Sequence, residues 1–135
     1  IANGFPCGGI LISPEFKAVK GMLGTTFGGN YLAMAAAISV LKIMEKEDLV
    51  NNALATGDYL KSAIPASDII KEVRGQGLML GIEFREPVKE IRSRLLKEKH
   101  IFTGVSGSST LRLLAPLCLS IAEAERFVEA LKELI

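Results

Sequence analysis

Two apolar stretches within residues 69–84 are broken at Gly75 and Gly77, and that break constrains the fold more than any other feature of the chain. Ile69, Ile70, Glu72, Val73 and Arg74 read as one strand and residues 78–84 as a second. Glycines between two such runs give a tight turn and an antiparallel pair. The neighbouring segments then have to cover that pair. Glu47 and Asp48 start a helix with Leu49, Val50, Ala53, Leu54, Leu60 and Ile64 on one face, and it ends before Pro65. Residues 86–99 form an amphipathic helix carrying Val88, Ile91, Leu95 and Leu96, closed by His100. Two more short strands are expected, at residues 101–103 and 110–114, separated by the glycine- and serine-rich residues 104–109. Ser120 and Glu123 make a capping box for a last helix whose Ile121, Phe127, Val128, Leu131, Leu134 and Ile135 point inward.

From residue 47 the order is therefore helix, strand, strand, helix, strand, strand, helix. That order predicts an α/β chain of the α+β kind: a two-layer sandwich with a mostly antiparallel sheet and helices packed on it. The first residues do not fit inside it. Asn3-Gly4-Phe5-Pro6-Cys7-Gly8-Gly9 reads as a loop feeding a short buried strand at residues 10–12, and Ser13 with Pro14 opens a short helix to about Lys20. Asn30 caps a helix over Tyr31–Lys46, whose Ala33, Ala35, Ala36 and Ala37 suit close packing against another element. The domain boundary is expected inside that helix.

Apolar residues make up 49% of the 135 and aromatics only 6%, so the excess is aliphatic. It fits either a rich core or a surface normally covered by more polypeptide or a partner subunit. Sixteen basic residues against fifteen acidic ones, interspersed, leave a net charge of +1 and no nucleic-acid footprint. Lys89, Arg92, Arg94, Lys97 and Lys99 alternate with Glu90 and Glu98 at helical spacing, the pattern of a solvated face. The longest apolar stretch, residues 31–41, is too short to span a bilayer. Cys7 and Cys118 have no metal-ligand or disulfide spacing; they are expected as small buried hydrophobes in a reducing compartment, the cytoplasm. The chain opens on Ile1 without a basic leader, so it is expected to begin in mid-protein.

Two places carry candidate chemistry. Gly24-Thr25-Thr26-Phe27-Gly28-Gly29-Asn30 sets two hydroxyls among three glycines just before a helix, which suits either a phosphate-binding turn or a plain loop with a cap at Asn30. Arg112 is a lone guanidinium in an apolar strand, Thr110 to Leu114. A buried arginine needs an anion, and that anion is either a carboxylate of the chain such as Glu83 or the carboxylate of a ligand held by a bidentate fork. Arg74, ahead of Gly75, reads as a residue that holds a turn, and His100 as an ordinary helix-end histidine. Lys17, Lys20 and Lys42 lie on polar faces, so none has the desolvated amine that covalent catalysis requires. No metal-ligand set and no catalyst stands out in this chain.

Taken in order, Asn3-Gly4-Phe5-Pro6-x-Gly8-Gly9, the Gly24 to Asn30 run, Val73-Arg74-Gly75-x-Gly77-Leu78-Met79-x-Gly81 and Leu111-Arg112-x-x-x-Pro116-Leu117 resemble the class III, ornithine-type aminotransferases. The likeness covers essentially the whole chain and is strongest to members acting on acylated ornithines. It implies fold type I, the aspartate-aminotransferase-like fold, in a homodimer using pyridoxal 5'-phosphate. It also implies that this chain is the C-terminal third. Residues 1–33 would end the large cofactor domain, 34–46 would be an interdomain helix, and 47–135 would be the small domain. Thr26 would donate to the phosphate of the cofactor held in the neighbouring subunit, Thr25 would lie against the substrate, and Arg112 would pair with the α-carboxylate of the amino acid.

The Schiff-base lysine of the family stands just ahead of Asn-Gly-Phe-Pro, so it is expected upstream of Ile1. The family's partner of the pyridine nitrogen and its ring-stacking aromatic are expected upstream as well, and the isolated chain is expected to be inactive and not to bind the cofactor stably. A histidine is common where Leu23 stands and a proline where Tyr31 stands, which affects the fine substrate specificity. The implied activity is transfer of the δ-amino group of N-acetylornithine or N-succinylornithine to 2-oxoglutarate in arginine biosynthesis. Ornithine, 4-aminobutyrate and glutamate-semialdehyde enzymes share the motifs and stay as alternatives. A stand-alone amino-acid-binding regulatory module is the alternative from outside the enzymes.

Overall fold

Gly77 reverses the chain with φ +53°, and the two strands it joins, β1 (Ile70–Gln76) and β2 (Met79–Phe84), pair antiparallel with Gln76 opposite Met79. In the computed structural model, which describes residues 3–22 and 24–135, this hairpin is half of a four-stranded sheet of order β1-β2-β4-β3. The chain divides into two compact units, Ile1–Glu47 and Asp48–Ile135, and the sheet belongs to the second.

All pairings in the sheet are antiparallel, β3 being Gly104–Ser106 and β4 Thr110–Leu114. Side chains alternate across it, so one face carries Leu80, Ile82 and Phe84 of β2 with Leu111 and Leu113 of β4, all buried. Helices α2 (Leu49–Ala63), α3 (Lys89–Lys99) and α4 (Ile121–Lys132) supply the other half of this core with Leu60, Leu95, Phe127, Val128 and Leu131. The opposite face holds the exposed Met79, Arg112 and Leu114. The fold is thus the two-layer α/β arrangement expected from the order of elements.

Local signals account for the helix ends. Ser120 accepts from the Glu123 amide while the Glu123 carboxylate accepts from the Ser120 amide at 2.8 Å, a complete capping box that also draws the Glu123 carboxyl below its ordinary range. His100 takes the left-handed conformation and closes α3 with φ 56°. That helix starts at Lys89 rather than at residue 86, because Pro87 bars its predecessor from helical backbone. The inward face of α2 is Ala53, Thr56, Gly57 and Leu60; Val50 and Leu54, expected there, are exposed. Gly57 comes so close to the hairpin that a Cβ on it would stand 2.1 Å from the Gly77 carbonyl oxygen. Asn52 completes the seat of α2 by donating to the Leu117 and Leu119 carbonyls at 2.7 and 3.1 Å.

The strand expected at residues 101–103 forms instead at Gly104–Ser106. Gly107, at φ 62°, turns the chain so that Ser106 pairs with Thr110, and register with β4 rather than the apolar character of Ile101 and Phe102 sets where β3 lies. Phe102 is exposed, with the Arg92 guanidinium 5.9 Å from its ring centre, and Arg92 Nε donates to the Thr103 carbonyl at 2.9 Å. Arg92 is therefore tied down rather than part of a free charged face.

In the first unit Asn30 caps α1 (Tyr31–Lys46), its side chain accepting from the Ala33 amide at 3.0 Å. Of the alanine face Ala33 is buried and Ala35 is exposed. Residues 10–12 form no strand and stand exposed, and no strand of the described residues in this unit pairs with them. Ser13 and Pro14 open one turn, closed by the Phe16 amide on the Ser13 carbonyl at 3.0 Å, and not a helix. Without a packed face so short a helix does not repay its nucleation. Cys118 is exposed and Cys7 half-buried, so neither is the core residue expected. Leu23 lies outside the described residues.

Candidate functional site

The exposed face of the sheet carries a single row that crosses all four strands. Arg74 of β1 lies opposite Gly81 of β2, Gly81 opposite Arg112 of β4, and Arg112 opposite Gly104 of β3. Directly opposed residues share a face, so two guanidinium stems alternate with two glycines. Side chains lie close over both glycines. A Cβ on Gly81 would come 3.2 Å from the Thr110 methyl, and one on Gly104 would come 3.0 Å from Arg112 Nε and 3.2 Å from Nη2.

The two arginines have opposite fates. Arg74 makes ion pairs with both Glu72 and Glu83, and its Nη2 donates to Thr110 Oγ1 at 3.5 Å. These bonds, Glu83's first, hold the Arg74 guanidinium above its ordinary pKa. Lys71 Nζ takes the other oxygen of Glu83 at 2.7 Å, and with Arg74 it draws the Glu83 carboxyl below the usual carboxylate range. Glu83 is therefore spoken for, and the pairing of Arg112 with Glu83 that the sequence left open does not form. Arg112 is exposed rather than buried, and among the described residues no carboxylate or carbonyl engages its guanidinium.

A cleft of about 440 Å³ opens between residues 100–104, the end of β4 and the first turns of α4, with residue 112 in its lining. Its walls include Leu113, Ala115, Pro116 and Phe127, with Arg126 as a second cation. A planar fork of donors next to an apolar wall recognises the carboxylate of a small aliphatic molecule.

Thr25 and Thr26 share the turn before α1 in the first unit. Gly28 sits beneath it, since a Cβ there would stand 2.2 Å from the Thr25 methyl, and Gly29 turns the chain at φ 70°. Both threonines are exposed, and their hydroxyls make no hydrogen bond within the described residues. The turn thus fits a phosphate in its donors: two free hydroxyls on a glycine-bounded bend. Asn30 takes up the Ala33 amide, so the hydroxyls matter more here than the helix terminus. Thr25 and Thr26 are brought together by this turn, whereas Arg112 stands in the sheet of the second unit. Among the described residues no group of histidine, cysteine or carboxylate side chains has the arrangement of a metal site, and no helix is long and apolar enough to cross a membrane.

Gly81, Gly104 and Arg74 were not legible as site residues, because their link to Arg112 exists only through strand register. The motif Val73-Arg74-Gly75 marked Arg74 without showing its partners.

Residues 1–135 match the family model for class-III aminotransferases. The chain is 37% identical to the acetylornithine aminotransferase of Bacillus subtilis, over all of this chain and 36% of that one. It is 36% identical to the ornithine aminotransferase of Oceanobacillus iheyensis, over 97% of this chain and 34% of that one. The acetylornithine aminotransferase structure from Elizabethkingia anophelis superposes with a TM-score of 0.73 at 28% identity, over 86% of this chain and 32% of the other. The chain spans about a third of the length of the relatives it matches. With its whole length matched, this chain belongs to the class-III aminotransferase family.

Proposed function

We propose that the chain is the C-terminal part of a pyridoxal 5'-phosphate aminotransferase that moves the δ-amino group of N-acetylornithine or N-succinylornithine to 2-oxoglutarate in arginine biosynthesis. Family membership and the names of the relatives support the reaction class. The observation that carries the site is the exposed Arg112 guanidinium, which no carboxylate or carbonyl of the described residues engages, in a strand whose end lines a mainly apolar cleft. Arg112 binds the α-carboxylate of the amino acid through two parallel hydrogen bonds, which fixes the orientation of the chain bearing the amine. Thr25 lies against the substrate. Thr26 donates to the cofactor phosphate of the neighbouring subunit, so the working unit is a homodimer in the cytoplasm. When bound, the cofactor supplies the carbonyl that exchanges with the amine and the ring that takes up charge. Residues 1–33 end the large cofactor domain, 34–46 link the domains and 47–135 form the small domain. The isolated chain is inactive.

Steady-state kinetics on the full-length protein test this reading, with N-acetylornithine, N-succinylornithine and ornithine compared as amino donors. Arg112→Gln should raise KM for the preferred donor by about tenfold to a hundredfold, the worth of a hydrogen-bonded charge. A KM unchanged by that substitution overturns the role of Arg112. A preference for free ornithine over both acylated forms moves the assignment to the ornithine branch.

A further inference from the structure

Arg92 and Arg112 are joined through two consecutive residues. Arg92 of α3 donates from Nε to the Thr103 carbonyl at 2.9 Å, and its guanidinium stands 5.9 Å from the centre of the Phe102 ring. The next residue, Gly104, opens β3 and is the register partner of Arg112, whose Nε and Nη2 lie 3.0 and 3.2 Å from the place a Cβ on it would take. The backbone beneath the Arg112 fork therefore begins at the carbonyl that Arg92 holds.

What surrounds that bond gives it weight. Helix α3 closes at His100, in the left-handed conformation, and the Ile101 amide donates to the Leu95 carbonyl at 2.9 Å. The ladder with β4 starts at Gly104, so Phe102 and Thr103 run between two fixed points without strand pairing. The Thr103 hydroxyl is buried without a hydrogen-bond partner and ties nothing down. The Arg92 side chain is what fastens this stretch to the helix layer. We propose that Arg92 is a positioning residue for Arg112: by holding the Thr103 carbonyl it fixes the start of β3, and with it the glycine over which the Arg112 fork lies. The proposal rests on the reading of Arg112 as the carboxylate binder and adds a residue from the opposite layer of the fold, which acts through Gly104. When Arg92 lets go, Gly104 shifts and the plane of the fork above it changes. A bidentate pair is sensitive to that change, since two donors must meet two oxygens at once.

Calorimetric titration of pentanoate into the cofactor-loaded full-length protein tests this, together with KM and kcat for the amino donor. Arg92→Met keeps the apolar stem and removes the donor. It is expected to weaken pentanoate and raise KM by about two- to fivefold, part of the worth of one charge-assisted hydrogen bond, with kcat little changed. Arg92 is half-buried, so the melting temperature should stay near that of the parent. Arg92→Gln sets an amide N–H at the same number of bonds from the backbone as Nε, and it should stay within about twofold of the parent. In the Arg112→Gln protein, Arg92→Met should leave KM where Arg112→Gln alone puts it, because Arg92 acts through Arg112. A merely structural role costs the same in both backgrounds. Unchanged pentanoate affinity in Arg92→Met, an equal loss in Arg92→Gln, or the same loss repeated in the Arg112→Gln protein overturns the proposal. If Arg112→Gln itself leaves KM and pentanoate binding intact, the reading of Arg112 falls and the proposal with it; if only Arg92→Met is silent, Arg112 keeps its role.

Discussion

The Arg112 guanidinium lies over Gly104, its Nε 3.0 Å and its Nη2 3.2 Å from the point that a Cβ on residue 104 would occupy. Residue 104 does not have a positive φ, so side-chain space and not backbone strain is what calls for glycine there. Gly104→Ala pushes on the far end of a flexible side chain, which yields at little cost. Folding stability should move by no more than about 0.5 kcal/mol. Ligand binding should suffer instead, because the displaced fork no longer presents two parallel donors. Pentanoate affinity in the full-length protein is expected to fall while the melting temperature holds, and Gly104→Val should exceed Gly104→Ala. A melting temperature that falls together with an unchanged affinity would make Gly104 a packing residue only.

Gly57 presents the reverse case, since the atom in its way is backbone. A Cβ there meets the Gly77 carbonyl oxygen at 2.1 Å, and neither α2 nor the hairpin has a flexible end to give. Gly57→Ala gains about 1 kcal/mol of helix propensity. Against it stands overpacking of about 3 kcal/mol, the upper end for a well-packed core. Urea denaturation of the chain should show a net loss of about 2 kcal/mol with an unchanged slope. A stabilised variant would mean that α2 sits further from the hairpin.

How far such contacts can be read from sequence depends on their range. The capping box at Ser120 and Glu123, the cap at Asn30 and the reversal at Gly77 were legible because each is settled within a few residues. The Arg74, Gly81, Arg112, Gly104 row was not, because it needs the strand order β1-β2-β4-β3 and three registers at once. The missed strand at Gly104–Ser106 has the same origin: Ile101 and Phe102 have strand composition, but the pairing that defines a strand starts two residues on, at Gly104. Residues 10–12 show the converse, an apolar run without a partner strand among the described residues of its unit. The lone charge of Arg112 in an apolar strand marks it as a candidate, but that Glu83 is not its partner follows only from the bonds of Glu83 to Lys71 and Arg74.

The Glu83 network gives a pH dependence of definite sign. Hydrogen bonds from Lys71 and then Arg74 lower its folded-state pKa below the ordinary carboxylate value. Its contribution to stability is therefore fully present above about pH 4.3, the unfolded value, and is lost as the pH falls through the lower folded value. Denaturation of the parent chain and of Glu83→Gln between pH 6 and pH 3 should show a gap that stays constant in the upper range and closes toward the acid end. A gap that widens on acidification would reverse the sign and remove Glu83 from the paired state.

Thr26 supplies the last test, because its hydroxyl is exposed on the glycine-bounded turn and makes no hydrogen bond within the described residues. A hydroxyl free of internal duty can be removed with little effect on folding, so Thr26→Ala should leave the melting temperature of the apo full-length protein near that of the parent. Its expected duty is a hydrogen bond to a charged phosphate, worth about 1.5–3 kcal/mol, or about tenfold to a hundredfold in affinity. Retention of pyridoxal 5'-phosphate should weaken by that factor, followed as the rise in free cofactor on dilution of the loaded protein. Pyridoxal, which lacks the phosphate, should bind the variant and the parent alike. An equal loss for both compounds would point to a disturbed ring site, and no loss for either would return Thr26 to the ordinary surface.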